Sequence, residues 1–121
     1  MFPFLNHAPR PQGMTAAQAV AGATSGEVTI LDIREVAEVR ASGLAKGAVH
    51  VPLMMLQHRA DPRHPDHDPR LSPDGTIAVY CASGARSAGA AQMLTKLGYQ
   101  DVHNIGGLAH WAQAGGAVTP A

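Results

Sequence analysis

The chain has a single cysteine among its 121 residues. That excludes an internal disulfide, any multi-cysteine metal site, and the second thiol of an internal redox relay. It also lacks net charge: nine basic and nine acidic side chains cancel, and the pI is near neutral. Nothing in that balance points to nucleic acid or to an anionic membrane surface as a partner. Arginine outnumbers lysine seven to two, which reads as a composition bias rather than a binding signal. Long hydrophobic runs are missing, and no apolar stretch is long enough to cross a bilayer. The start, Met1 to Arg10, lacks the basic region and extended apolar core of a secretory signal, so a cytoplasmic enzyme is the expectation. No internal repeat or second domain is visible. The length suits one domain with a core of its own.

What is present is an alternation of strand and helix signals. Residues 1–13 carry three prolines and read as an irregular lead-in. Thr15 and Gln18 have capping-box spacing, so a short helix is predicted from there to about Thr24, stopped by Ser25-Gly26. Val28 to Ile33 is a β-branched run and reads as a central strand. A short helix over Glu35 to Ala41 follows, with Glu35 and Glu38 in its first turn, Arg40 in its last and Gly43 as its stop. Ala48 to Val51 is a brief strand closed by Pro52. Leu53 to Leu56 is read as a helical turn or an outgoing loop. Asp61 to Asp74 holds four prolines and no apolar periodicity, which makes it a solvated loop. Thr76 to Tyr80 is a buried strand, followed after a loop by a helix to about Leu97. Its apolar positions Ala90, Met93, Leu94 and Leu97 share one face, and Gly98 sits where a C-terminal cap belongs. Asp101 to Ile105 is a last short strand, Gly106-Gly107 a turn, and a final helix carries Trp111, expected to pack against the sheet.

The lone cysteine falls where the strand ending at Tyr80 gives way to a helix, in Cys81-Ala82-Ser83-Gly84-Ala85-Arg86-Ser87. Helix-start N–H groups and the positive end of the helix dipole favour an anion there. The same field lowers a thiol's pKa, and the thiolate is the reactive form. A buried structural cysteine is the plain alternative; the glycine and arginine context shifts the balance toward a nucleophile within a ring of backbone donors. Strands alternating with helices argue a parallel sheet covered on both faces, with the ligand site beyond the strand carboxyl ends. Asp32, Arg34, Pro52, Cys81 and Gly106-Gly107 all fall at or just past those ends and are expected to converge on one rim.

These residues resemble a single-domain rhodanese, a thiosulfate or persulfide sulfurtransferase. The matching pieces run in family order: Leu31-Asp32-Ile33-Arg34, Glu38, Gly43 to Pro52, Val79 to Ser87, Leu94 with Gly98-Tyr99, and Asn104 to Trp111. The resemblance implies a rhodanese-like α/β domain over residues 14–117, with a parallel sheet of about four or five strands, and a tail over 118–121. It implies that Cys81 takes the outer sulfur of a donor as a persulfide and passes it to a thiophilic acceptor: cyanide, a cellular thiol or a protein. That is covalent catalysis, without cofactor, metal, nucleic acid or membrane. Cys81 and Arg86 are the catalytic candidates. Arg86 is expected to brace the loop and add positive potential. Ala82, Ser83, Gly84, Ala85 and Ser87 are candidates for binding substrate, the amides of residues 82–86 stabilising the persulfide anion and the two serines donating hydroxyl hydrogen bonds. Asp32 and Arg34 are expected to hold the neighbouring loop together.

The chain departs from the family at Ala82 and Ala85, where basic or polar side chains are common, and at Val39, Leu44 and Lys46. Fewer fixed positive charges weaken the case for thiosulfate dianion and favour a persulfide donor. Cysteine phosphatases and arsenate reductases have a related loop with five residues between cysteine and arginine. This chain has four, Ala82 to Ala85, a tighter ring suited to a single sulfur. A module kept for carrying sulfur or binding a partner is the non-enzymatic alternative. His64 and His67, flanking Pro65-Asp66, invite a metal reading, but no further ligand lies nearby in sequence and a solvated loop is favoured. His50, His103 and His110 read as structural, and Met54 and Met55 as core or rim residues.

Overall fold

A computed structural model describes residues 13–121. The lead-in expected over residues 1–13 lies, apart from Gly13, outside the described residues. The element order is α1 (Ala16–Ser25), β1 (Val28–Asp32), α2 (Val36–Ser42), β2 (Leu44–Ala45) and β3 (Val49–His50). A 3-10 turn (Leu53–Met55) then runs into α3 (Leu56–Ala60), and β4 (Thr76–Cys81), α4 (Ala85–Lys96), β5 (Asp101–Gly107), α5 (Leu108–Gln113) and β6 (Val118–Thr119) complete the chain. Strands β3-β1-β4-β5 form one all-parallel sheet in that order. The α/β architecture expected from the alternation is the one observed.

Side-chain alternation along the strands sorts the core into two layers. Ile30, Ala78, Tyr80 and Ile105 pack with Ala19 of α1 and Trp111 of α5. Leu31, Ile77 and Val79 pack with Leu56 and Ala60 of α3 and with Ala90 and Leu94 of α4. Helices therefore cover both faces, and both strand faces are apolar, which is why β1 and β4 read as continuous runs. The Thr15–Gln18 capping box forms as expected: Gln18 N–H donates to Thr15 Oγ1 at 3.1 Å and Thr15 N–H to Gln18 Oε1 at 2.8 Å. Trp111 is buried in the core and its indole N–H donates to the Ala117 carbonyl at 2.8 Å.

Three features differ from the sequence reading. Val118–Thr119, expected as tail, pairs antiparallel with Leu44–Ala45 in a separate two-stranded sheet; a two-residue strand carries too little periodicity to be seen. The stretch from Asp61 to Asp74 forms no helix or strand, yet it is not wholly solvated. Leu71 enters the core, and Asp68 is buried with Arg70 at 2.7 Å and Arg59 at 3.5 Å. Gly106-Gly107 is not a turn but the end of β5. Pairing steps from Val79↔Asn104 to Cys81↔Gly107, so β5 spends one residue more than β4. Gly106 takes up the excess with φ +95°, a bulge that re-aims the strand beside Cys81. No helix among the described residues is long and apolar enough to cross a membrane.

Candidate active site

Cys81 is the last residue of β4, and α4 starts four residues on, so its side chain lies under the loop at the helix entrance. The residue is 1% exposed. The Gly84 N–H donates to Sγ at 3.0 Å, and the Ser87 hydroxyl lies 3.4 Å from it. Gly84 bends the loop back with φ +106°, a left-handed conformation that only glycine adopts at low cost. Burial alone pushes the thiol up, and it is the largest single influence. The Ser87 hydroxyl with the N–H groups of Ser87, Gly84 and Ser83 outweighs it and holds the thiol lowered to about 7. Of the amides expected to face the sulfur, those of Ser83 and Gly84 act on Sγ, joined by that of Ser87 further along the helix. Ala82, Ser83 and Ala85 are exposed around the loop and Gly84 is half-buried.

Glycines at the end of β5 let the loop sit this low. A Cβ on Gly107 would overlap the Ala82 carbonyl oxygen, and one on Gly106 would lie 2.6 Å from His110 Nδ1. The Gly107 N–H donates to that same His110 nitrogen at 2.9 Å, which leaves the proton of the neutral ring on Nε2.

Arg86 does not point its charge at the sulfur unopposed. Its two terminal nitrogens donate to the two Glu38 oxygens, each at 2.7 Å, in a bidentate pair joining α4 to α2. The pair holds the Glu38 carboxyl down at about 2, helped by the Glu35 N–H, and raises the guanidinium above its ordinary value.

Asp32 and Arg34 are both buried and bound to each other. Asp32 accepts from the Arg34 backbone N–H at 2.8 Å, from its Nε at 3.1 Å and from Nη2 at 2.8 Å. Arg34 also donates to Ser42 Oγ and the Gly43 carbonyl, both at 2.6 Å, tying the end of β1 to the end of α2. The Tyr80 hydroxyl donates to Asp32 at 2.6 Å and accepts from Ala45 N–H at 3.0 Å. Every Arg34 nitrogen is engaged in this brace.

The chain belongs to the rhodanese-like family. The family's domain model matches residues 15–114. A sulfurtransferase of Allochromatium vinosum is 34% identical over 94 residues, covering 77% of this chain and 79% of that protein. The thiosulfate sulfurtransferase PspE of Escherichia coli is 35% identical over 63 residues, 52% of this chain and 55% of that one. The solved structure of a Rhodopseudomonas palustris protein of unknown function, described as a possible tyrosine phosphatase, is similar with a TM-score of 0.76 at 36% identity, over 87% of this chain and 82% of that one.

Two residues of the matching pieces to which the sequence assigned no part in the loop are wired into it. Glu38 neutralises Arg86. Asn104 reaches Ser87 Oγ at 2.6 Å and the Gly84 carbonyl at 2.9 Å. Both sit in the motif pieces, the one signal that could have tied them to the loop, since the first-turn position of Glu38 spoke only to its helix. The loop histidines stand apart from this site: His64 stacks on His58 at 4.5 Å, and the His67 Nε2–H donates to the Leu71 carbonyl at 2.7 Å. Among the described residues no group of three or more His, Cys, Asp or Glu could hold a metal ion.

Proposed function

We propose that this chain is a rhodanese-type sulfurtransferase that moves a sulfane sulfur from thiosulfate or a persulfide to a thiophilic acceptor through a persulfide on Cys81. One observation carries the reading: a buried sulfur with the Gly84 N–H at 3.0 Å, the Ser87 hydroxyl at 3.4 Å and a thiol lowered to about 7. About half of it is thiolate at neutral pH. The thiolate attacks the outer sulfur of the donor. With thiosulfate the sulfur–sulfur bond breaks and sulfite leaves with the electron pair; with a persulfide a thiolate leaves. The new terminal sulfur on Cys81 carries the negative charge, and the backbone N–H groups of the loop stabilise it without rearranging. An acceptor thiolate or cyanide then attacks that sulfur, and the Cys81 thiolate departs unchanged.

In this reading Ala82, Ser83, Gly84 and Ala85 meet the substrate through their backbone and Ser87 through its hydroxyl. Asp32 and Arg34 support the rim. Arg86 braces the loop through Glu38 and lends little net charge, since its partner is an anion at 2.7 Å. That pairing favours a persulfide over thiosulfate as donor, because thiosulfate is a dianion and Ala82 and Ala85 offer it no compensating charge; a carrier that takes up this sulfur without turnover is the second reading. A cytoplasmic setting belongs to the same proposal and is checked by cell fractionation.

The test is intact-mass measurement after exposure to thiosulfate, followed by cyanide. One sulfur added to the wild-type chain and absent from Cys81→Ala, then released as thiocyanate, is the expected result. Loading of Cys81 without catalytic turnover of either donor selects the carrier. Phosphate-ester hydrolysis without thiocyanate hands the case to the phosphatase class.

A further inference from the structure

The Ser87 hydroxyl is fully buried and has one hydrogen for three neighbours. Asn104 Oδ1 lies at 2.6 Å, the Gly84 carbonyl at 3.1 Å and Cys81 Sγ at 3.4 Å. The shortest line runs to Asn104. With the hydrogen there, Ser87 Oγ turns a lone pair toward the sulfur. That suits a thiol, whose S–H then donates to Ser87. It does not suit an anionic sulfur, which needs the hydroxyl hydrogen for itself.

Asn104 can give that hydrogen up without moving. Its Oδ1 also accepts from the Gly106 N–H at 3.0 Å, so it is not orphaned when Ser87 turns away. Its Nδ2 donates to the Gly84 carbonyl at 2.9 Å. These two partners fix which end is oxygen, since a flipped amide would set donor against donor and acceptor against acceptor. The same side chain thus steadies Gly84, whose own N–H donates to the sulfur.

We propose that Asn104 is a positioning residue for the sulfur chemistry: it holds the Ser87 hydroxyl hydrogen while Cys81 is a thiol and yields it when the sulfur becomes an anion. The thiol proton leaves to solvent; the hydroxyl keeps its own and only rotates. Among the described residues, the charged groups around the loop include Arg86 paired with Glu38 and also felt by Glu35, and Arg34 paired with Asp32, while His110 faces it from α5 with Nδ1 bound to Gly107 N–H. The proposal rests on Cys81 being the working sulfur, but its test reads the thiol directly and needs no sulfur donor.

Asn104→Asp is nearly isosteric. Its carboxylate holds the Ser87 hydrogen harder and cannot donate to Gly84, and both changes disfavour the thiolate. Alkylation of Cys81 by iodoacetamide is followed against pH. The expected midpoint rises by about one pH unit, making alkylation about five-fold slower at pH 7. Repeating the change in a Ser87→Ala background separates relay from charge. There the added shift should fall to under about half. An equal shift in both backgrounds means that the charge acts only through space, and it overturns the proposal. Should Asn104→Asp fail to fold, the unaltered chain decides. The Asn104 side-chain amide resonances should titrate with the Cys81 midpoint, and resonances that stay still through that titration overturn the proposal as well. A working relay alongside absent thiocyanate formation would refute the sulfurtransferase reading alone.

Discussion

Glu38→Gln removes the anion that Arg86 holds and leaves side-chain size unchanged. Two consequences follow, one for stability and one for substrate choice. The carboxyl is pulled from the ordinary carboxylate range to about 2, chiefly by the two Arg86 hydrogen bonds. At full strength that displacement equals about 3 kcal/mol. The Arg86 and Glu38 side chains are 36% and 34% exposed, so solvent screening reduces the contribution to about 1 kcal/mol. For a domain of this size that is a loss of about 4 °C in melting temperature at pH 7. The sign with pH is set by the folded carboxyl lying below the unfolded one. The stabilisation is complete above the unfolded value and disappears as pH falls from about 4 toward 2. Calorimetry of both proteins across that window should show two melting curves converging in acid. For substrate choice, Arg86 without its carboxylate adds a net positive charge at the loop, and the KM for thiosulfate should fall several-fold while turnover of a neutral persulfide donor changes little. A melting gap that persists unchanged to pH 2, or a thiosulfate KM that rises, would refute the assignment of Glu38 as the group that cancels Arg86.

Alkylation of wild-type Cys81 should reach half its maximal rate near pH 7, well below an ordinary exposed thiol, and Ser87→Ala should move that midpoint upward. Gly107→Ala should slow sulfur uptake at least ten-fold while the chain stays folded, because the new methyl group displaces the Ala82 carbonyl and with it the Gly84 donor; stopped-flow loading with an unchanged circular-dichroism spectrum checks it. Asp32→Ala takes the counter-charge from the buried Arg34 guanidinium, which keeps only Ser42 Oγ and the Gly43 carbonyl, and the acceptor from the Tyr80 hydroxyl, at a cost of about 3–5 kcal/mol in urea unfolding.

The parallel α/β fold was legible because β1 and β4 are continuous apolar runs, as strands buried on both faces must be, and α4 is long enough to show its period. Ile30 and Leu31 alternate faces, while Ala90 and Leu94 lie one helical turn apart on the buried side of α4. Capping at Thr15 was legible for a related reason: both partners lie within one turn, so spacing alone determines the bond. Short elements were not. The β2–β6 pair joins residues about 75 positions apart through two-residue strands, and the pairing energy resides in contacts that no local window contains. Leu71, the one core residue in a proline-rich loop, was hidden by its polar neighbours.

The same division runs through the site. Local order alone determined that a cysteine would stand at a strand end before a helix, with a glycine three residues on to fold an N–H back over it, because each of those relations lies within seven residues. Which charges and hydroxyls surround that sulfur was decided only by tertiary structure. Glu38 comes from α2 to cancel Arg86, Asn104 comes from β5 to claim Ser87, and the bulge at Gly106 brings Gly107 under Ala82. A side chain's hydrogen-bond partner depends on distances of a few ångströms between elements far apart in the chain, and those distances exist only once the sheet has set its register.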